Sequence, residues 1–193
     1  VNAKKAGFDG VEIHGANGYL LDQFLHESTN LRTDNYGGSV ENRARLMIEV
    51  VDAVISVWGA SRVGLHLAPR GDAHDVGDKQ EPNVFVYVAQ AMKDRQIAFL
   101  FAREGMEEPR LLPELKKVFG GHMIANQALS LADAEGLLLN GEADACSWGR
   151  QYIANPDLVE RYESNTKLND PVPETFYGDG PEGYTDYPFM SEV

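Results

Sequence analysis

The 193-residue sequence holds a single cysteine, Cys146, so it has neither a disulfide framework nor a cysteine cluster for a metal, and a reducing, cytoplasmic setting is the natural expectation. It is short of positive charge. Seventeen Lys and Arg stand against 30 Asp and Glu, a formal net charge of −13. Nucleic acid and anionic membrane surfaces both require a basic face, and neither is expected as a partner. No apolar run approaches the roughly 20 residues that span a bilayer. The opening Val1-Asn2-Ala3-Lys4-Lys5-Ala6-Gly7 does not read as a signal peptide but as the end of a helix with Gly7 as C-cap, so an upstream segment is expected. Low-complexity segments and domain linkers are absent. So is a usable dinucleotide fingerprint: the one formal match, Gly178-Asp179-Gly180-Pro181-Glu182-Gly183, contains a proline and leads into Tyr184-Thr185-Asp186-Tyr187-Pro188 rather than a helix.

What is present is an ordinary 43% apolar content, enough for one domain with a sizeable core, arranged in alternating segments. Short apolar runs at 10–14, 62–68, 97–102, 122–126 and 143–148 read as strands, most of them bounded by Gly, Asp or Pro. Between the first two, Leu46, Val50, Val51, Val54, Ile55 and Trp58 repeat at helical spacing within 39–58, with Ser39 as N-cap. Further helices are expected at 82–95, 109–119, 130–139 and 156–163. Ser130 and Asp133 form a capping-box pair with Gly141 beyond the end, and Asn155 is the expected N-cap before Pro156. Five strand–helix alternations mean a parallel sheet, either open and doubly wound or part of a (β/α)₈ barrel. Without a dinucleotide fingerprint the barrel is preferred. Such a barrel needs about 250 residues and eight strands, and five strands would leave two edges unpaired.

The chemistry concentrates in Gly10-Val11-Glu12-Ile13-His14-Gly15-Ala16-Asn17-Gly18-Tyr19-Leu20-Leu21-Asp22-Gln23-Phe24. Alternation along the strand puts Val11 and Ile13 on one side and Glu12 and His14 on the other. In a barrel His14 would point inward at the C-terminal rim, where barrel active sites lie. The connection 15–38 that follows is far longer than usual, and such loops are often functional. The residues alone leave open a histidine and tyrosine merely satisfied in a polar loop. This stretch, with Arg32-Thr33-Asp34-Asn35-Tyr36-Gly37-Gly38-Ser39-Val40-Glu41-Asn42-Arg43-Ala44-Arg45, resembles the Old Yellow Enzyme family of flavin-dependent ene-reductases, and the resemblance runs to the end of the chain.

The resemblance implies a TIM (β/α)₈ barrel of which residues 1–193 supply about five units, strands four to eight, and the C-terminal tail. The first three units are absent, and a complementary N-terminal half-barrel segment or chain is implied; a homo-oligomer stays open. It also implies FMN as cofactor, NADPH or NADH as reductant, and a small alkene such as an enone, enal or nitroalkene as substrate. His14 and Asn17 would hold the activating oxygen of the substrate, and such bonds stabilise an enolate-like transition state. Tyr19 would protonate the neighbouring carbon, since phenols keep their proton at neutral pH. Gly149 and Arg150 would grip the FMN phosphate, with backbone N–H groups near Gln127 and Ala128 completing the cradle. The family usually has glycine where Gln127 stands. Where the family has arginine against the flavin N1 and C2 carbonyl, this chain has His66, in Val63-Gly64-Leu65-His66-Leu67-Ala68-Pro69. An imidazole serves there when protonated, a form that a reduced, anionic flavin favours. Tyr184 would wall the substrate pocket.

Plainer alternatives stand beside these. His66 is a packed core residue, Arg150 a surface arginine capping a helix, and 175–188 an aromatic tail packed on the surface. The stretch Arg32–Arg45 reads as scaffold for the long loop. A metal at His66, Asp72, His74 and Asp75 is not expected, because no strand or helix fixes a ligand geometry there. A Schiff-base aldolase would want a lysine on a strand, and the five strand candidates hold none. The rival function is a non-catalytic half-barrel that acts only as an assembly partner.

Overall fold

The computed structural model describes residues 1–70 and 82–192; the loop residues Asp72, His74 and Asp75 lie outside the described residues. The element order is α1 (Asn2–Lys5), β1 (Val11–Gly15), α2 (Leu20–Leu25), α3 (Val40–Trp58), β2 (Val63–Leu67), α4 (Pro82–Arg95), β3 (Phe99–Arg103), α5 (Leu112–Phe119), β4 (His122–Asn126), α6 (Leu131–Leu139), β5 (Ala145–Cys146), α7 (Arg150–Ala154) and α8 (Leu158–Glu163). The five strands pair in parallel in chain order, β1-β2-β3-β4-β5. Register places His14 beside His66, His66 beside Phe101, and Arg103 beside Asn126. This is the strand–helix arrangement of part of a TIM barrel, as the alternation in the sequence implies. The chain divides into two compact units, residues 1–146 and residues 147–193.

In the first unit, one face of the sheet is closed by helices and carries the core. Leu65, Leu67, Leu100, Ala102, Met123 and Ala125 are buried there, together with Ala44, Met47 and Val51 of α3. Each large aliphatic side chain so buried contributes about 1.5–3 kcal/mol. The helix α3 starts where expected, Ser39 accepting from the N–H of Asn42. Its buried stripe, however, is Ala44, Met47, Val51 and Trp58, while Leu46, Val50, Val54 and Ile55 lie half-buried beside it. Ser130 and Asp133 form the full capping box of α6.

Several boundaries differ from the expected ones. The helix α5 begins at Leu112 rather than at Pro109, because the buried carboxylate of Glu104 accepts the N–H groups of Leu111 and Leu112 at 2.7–2.9 Å and fixes the first turn there. The long connection after β1 contains the six-residue helix α2. At the chain start, Ala6 is the C-cap of α1 and Gly7, at φ 90°, follows it.

The second unit contains α7, which was not expected, and α8. Asn155 is the C-cap of α7, not the N-cap of α8, whose N-cap is Asp157. The reason is tertiary. Asn155 Oδ1 accepts from the N–H of Asn169 at 2.7 Å, and its amide turns back to the Gln151 carbonyl at 2.9 Å. The tail folds onto α8: Arg161, 2% exposed, donates to Asp157 at 2.6 Å, to the Lys167 carbonyl at 2.7 Å and to the Pro188 carbonyl at 2.9 Å. Tyr184 and Thr185, which follow Gly183, lie in a turn and not in an α-helix, as the discounted glycine motif implies, and a single 3-10 turn comes later at Met190–Glu192.

Candidate active site

The second face of the sheet in the first unit carries Glu12, His14, His66, Phe99, Phe101, Arg103 and Ile124, none of them fully buried. Gly64 lacks the Cβ that would strike the Phe99 ring, which lies over it. An open groove of about 490 Å³ runs along the N-terminal strand ends past Gly10, Glu12, Arg62 and Phe99. The chemistry-bearing side chains sit at the other, C-terminal ends.

There His14 stands next to the last residue of β1. Its ring centroid is 5.4 Å from that of Tyr19 and 5.1 Å from that of His66. Partial burial, and then the neighbouring His66, hold the His14 imidazole below its ordinary value of 6.5; Glu12 and Asp22 act the other way. The neutral ring is therefore favoured, with one N–H to donate. The His66 ring packs 4.2 Å from Phe101, its Nδ1 is 3.5 Å from the Glu12 carboxylate, and its Nε2 is buried without a hydrogen-bond partner among the described residues.

The loop bearing Asn17 and Tyr19 is shaped by α2. Asn17 and Gly18 both adopt left-handed backbone, φ 59° and 73°, which Asn and Gly tolerate best. The Asp22 carboxylate accepts from the Gly18 N–H at 2.8 Å, and Gln23 donates to the Gly18 carbonyl at 2.6 Å. Asp22, itself fully buried, also meets His26 Nε2 at 3.2 Å. Farther along, buried Arg43 donates to the Leu25 carbonyl at 2.7 Å and the Gly38 carbonyl at 2.5 Å, and Asn30 to the Phe24 and Tyr36 carbonyls at 2.7 Å each. This bears out the scaffold reading of Arg32–Arg45.

At the end of β3, Arg103 reaches two predicted site residues, a part the sequence reading missed. Its Nη1 donates to Asn17 Oδ1 at 3.0 Å and its Nε to Gln127 Oε1 at 2.7 Å. Its position two residues after Phe101, on the polar face of a strand, was the available signal. Gln127 and Ala128 follow β4 with φ 112° and 52°, successive left-handed residues of the kind that can turn N–H groups to an anion. That conformation explains why glycine suits position 127.

The described parts of the first unit thus bring together His14, Asn17, Tyr19 and His66 around one strand end, with Gln127 joined through Arg103. In the second unit, Gly149 is the N-cap of α7, with nothing within 4 Å of where a Cβ would stand. Arg150 is exposed beside it, and Tyr184 is 58% exposed in a turn. Among the described residues no group of three or more His, Cys, Asp or Glu could hold a metal ion, and no helix is long and apolar enough to cross a membrane.

The sequence profile of the NADH:flavin oxidoreductase / NADH oxidase family matches residues 1–169. A probable flavin mononucleotide-dependent alkene reductase of Leishmania infantum is 44% identical over 192 residues, covering 98% of this chain and 53% of that protein. The 12-oxophytodienoate reductase 1 of Oryza sativa subsp. japonica is 43% identical over 206 residues, covering 100% of this chain and 53% of its own length. Among solved structures, the old yellow enzyme homologue from Zymomonas mobilis matches with a TM-score of 0.92 at 44% identity, covering 96% of this chain and 55% of that one. Morphinone reductase in complex with tetrahydroNAD matches with a TM-score of 0.92 at 43% identity, over 97% of this chain and 52% of that one. The chain spans about half the length of the curated relatives it matches.

Proposed function

The chain belongs to the NADH:flavin oxidoreductase / NADH oxidase family, the Old Yellow Enzyme family, and on that premise we propose that it forms the later strands of an FMN-dependent reductase of activated carbon–carbon double bonds. The observation that carries this reading is the convergence of His14, Asn17 and Tyr19 at the C-terminal end of β1. Two neutral donors and a phenol there match what reduction of an enone or nitroalkene asks of a protein.

His14, kept neutral by its burial and by His66, donates one N–H to the activating oxygen of the substrate. Asn17 donates from its amide nitrogen, the amide oxygen being taken by Arg103. Both bonds strengthen as negative charge builds on that oxygen, so they favour the transition state over the ground state. Tyr19 hands its phenolic proton to the carbon next to the activating group. Bound FMN would supply the hydride, drawn from NADH or NADPH, for the β-carbon.

The residues fit that cofactor. The buried Nε2 of His66, without a partner among the described residues, is a polar atom that a flavin ring edge would satisfy. The left-handed turn at Gln127 and Ala128 suits an anion. In the second unit, taken by itself, exposed Arg150 beside Gly149 offers a guanidinium fork for a phosphate. Because among the described residues β1 and β5 each pair on one side only, we assign the remaining strands to a complementary segment, a second chain or a further copy, with residues 1–193 as one portion of a single FMN-binding barrel.

The test is the visible spectrum of the purified protein together with mass analysis of every chain present, followed by turnover of 2-cyclohexenone with NADH and NADPH. Releasable FMN and enone reduction support the reading. No FMN binding after addition of cofactor and of the missing barrel units would leave the half-barrel assembly partner in its place.

A further inference from the structure

A carboxamide has two faces of opposite character, and which one meets a ligand decides whether it donates or accepts. For Asn17 that choice is made by Arg103. Guanidinium groups carry donors only, so the atom 3.0 Å from Arg103 Nη1 has to be the amide oxygen; the reverse orientation would set N–H against N–H. Arg103 is itself held, its Nε spent on Gln127 Oε1 at 2.7 Å, and it rises from β3 rather than from the loop that carries Asn17. Asn17 sits on left-handed backbone between His14 and Tyr19, so its side chain gets little direction from regular structure of its own.

We infer that Arg103 is a positioning residue for the reductase reaction: it clamps Asn17 Oδ1, which commits the amide nitrogen to the substrate oxygen and polarises it as a donor. A cation on the amide oxygen draws electron density from the nitrogen, and such chained bonds reinforce one another in a partly desolvated site. The clamp also couples the substrate end of the site to the turn at Gln127. The inference rests on the ene-reductase reading and adds to it the residue that makes Asn17 a donor.

The test uses the complete FMN-loaded protein and a double-mutant cycle between Arg103→Met and Asn17→Ala. The readouts are KM and kcat for 2-cyclohexenone and the inhibition constant of cyclohexanone, which keeps the carbonyl and lacks the reducible bond. Arg103→Met is expected to raise KM and the inhibition constant about tenfold, the worth of one well-made hydrogen bond. In the Asn17→Ala background the same change is expected to do no more than about twofold, because two residues in one chain of bonds are not additive. Arg103→Lys, still a donor to Asn17, restores most of the loss. If Arg103→Met fails to fold or to hold FMN, Arg103→Leu carries the same cycle, again without a donor. Equal losses in both backgrounds, or an unchanged inhibition constant with a catalytically active parent, would overturn the assignment while leaving the function intact. A parent protein that binds FMN and reduces no enone overturns both.

Discussion

The two faces of the sheet, built from alternate residues of the same strands, have opposite characters. Leu100 and Phe101 are neighbours in β3: Leu100 is wholly buried against the helices, while Phe101 lies half-buried against His66. The first face is closed and apolar, and its side chains act through contact area. The second carries Glu12, His14, His66 and Arg103, whose value lies in donors, acceptors and charge. Stability is therefore concentrated on one face and chemistry on the other, and substitutions can be chosen to separate them.

The largest expected effect is chemical. Tyr19 is 54% exposed, so Tyr19→Phe leaves the melting temperature within a degree or two but lowers enone turnover by about a hundredfold or more, the usual worth of a placed general acid. Reduction of bound FMN by NAD(P)H in a stopped-flow measurement should survive the change. Next comes Leu100→Ala on the closed face, expected to cost about 2–5 kcal/mol in urea unfolding while kcat/KM of the folded protein stays within a few fold. Asp22→Asn weakens the bond to the Gly18 N–H and the contact with His26. It should cost about 1–3 kcal/mol and raise the KM for enones, since the Asn17–Tyr19 turn is then less well held. Phe101→Ala removes a larger side chain than Leu100→Ala but from a half-buried position. A loss below about 2 kcal/mol is expected, and an equal or larger loss would mean the polar face is as much a core as the other.

The smallest effect is on pH dependence. The folded state holds a proton on His14 less firmly than the unfolded chain does, mainly through burial and His66. Its contribution to stability is thus present above the ordinary imidazole value and is lost as pH falls through the lowered one. Urea unfolding at pH 7.5 and pH 5 should give His14→Gln a smaller acid loss than the parent protein; a larger one would reverse the assigned direction.

Much of this fold is legible from short-range pattern. β4 falls at His122–Asn126 as read from the sequence, α4 at Pro82–Arg95, and the caps at Ser39 and Ser130 stand where side chain and helix start are only three residues apart. Two misread elements turn on partners beyond the local window: Asn155 joins Asn169 rather than capping α8, and Glu104 moves the start of α5. The helix α2 was missed for another reason, since its bond from the Gly18 N–H to Asp22 is local. Among the site residues, His14, Asn17 and Tyr19 are visible through a resemblance over a few consecutive residues. Arg103 is not, because its partners lie 86 and 24 residues away.

The sequence by itself determined the alternation of strands and helices, the acidic surface and the residue types at the end of β1. Those follow from periodicity, composition and local capping, all of which act within a few residues. Only the tertiary structure decided that Arg103 faces Asn17, that His66 meets Glu12 with its Nε2 buried and unpartnered among the described residues, and that Gln127 takes a backbone shape suited to glycine. Side-chain orientation across neighbouring strands depends on register and packing, which the assembled sheet alone fixes.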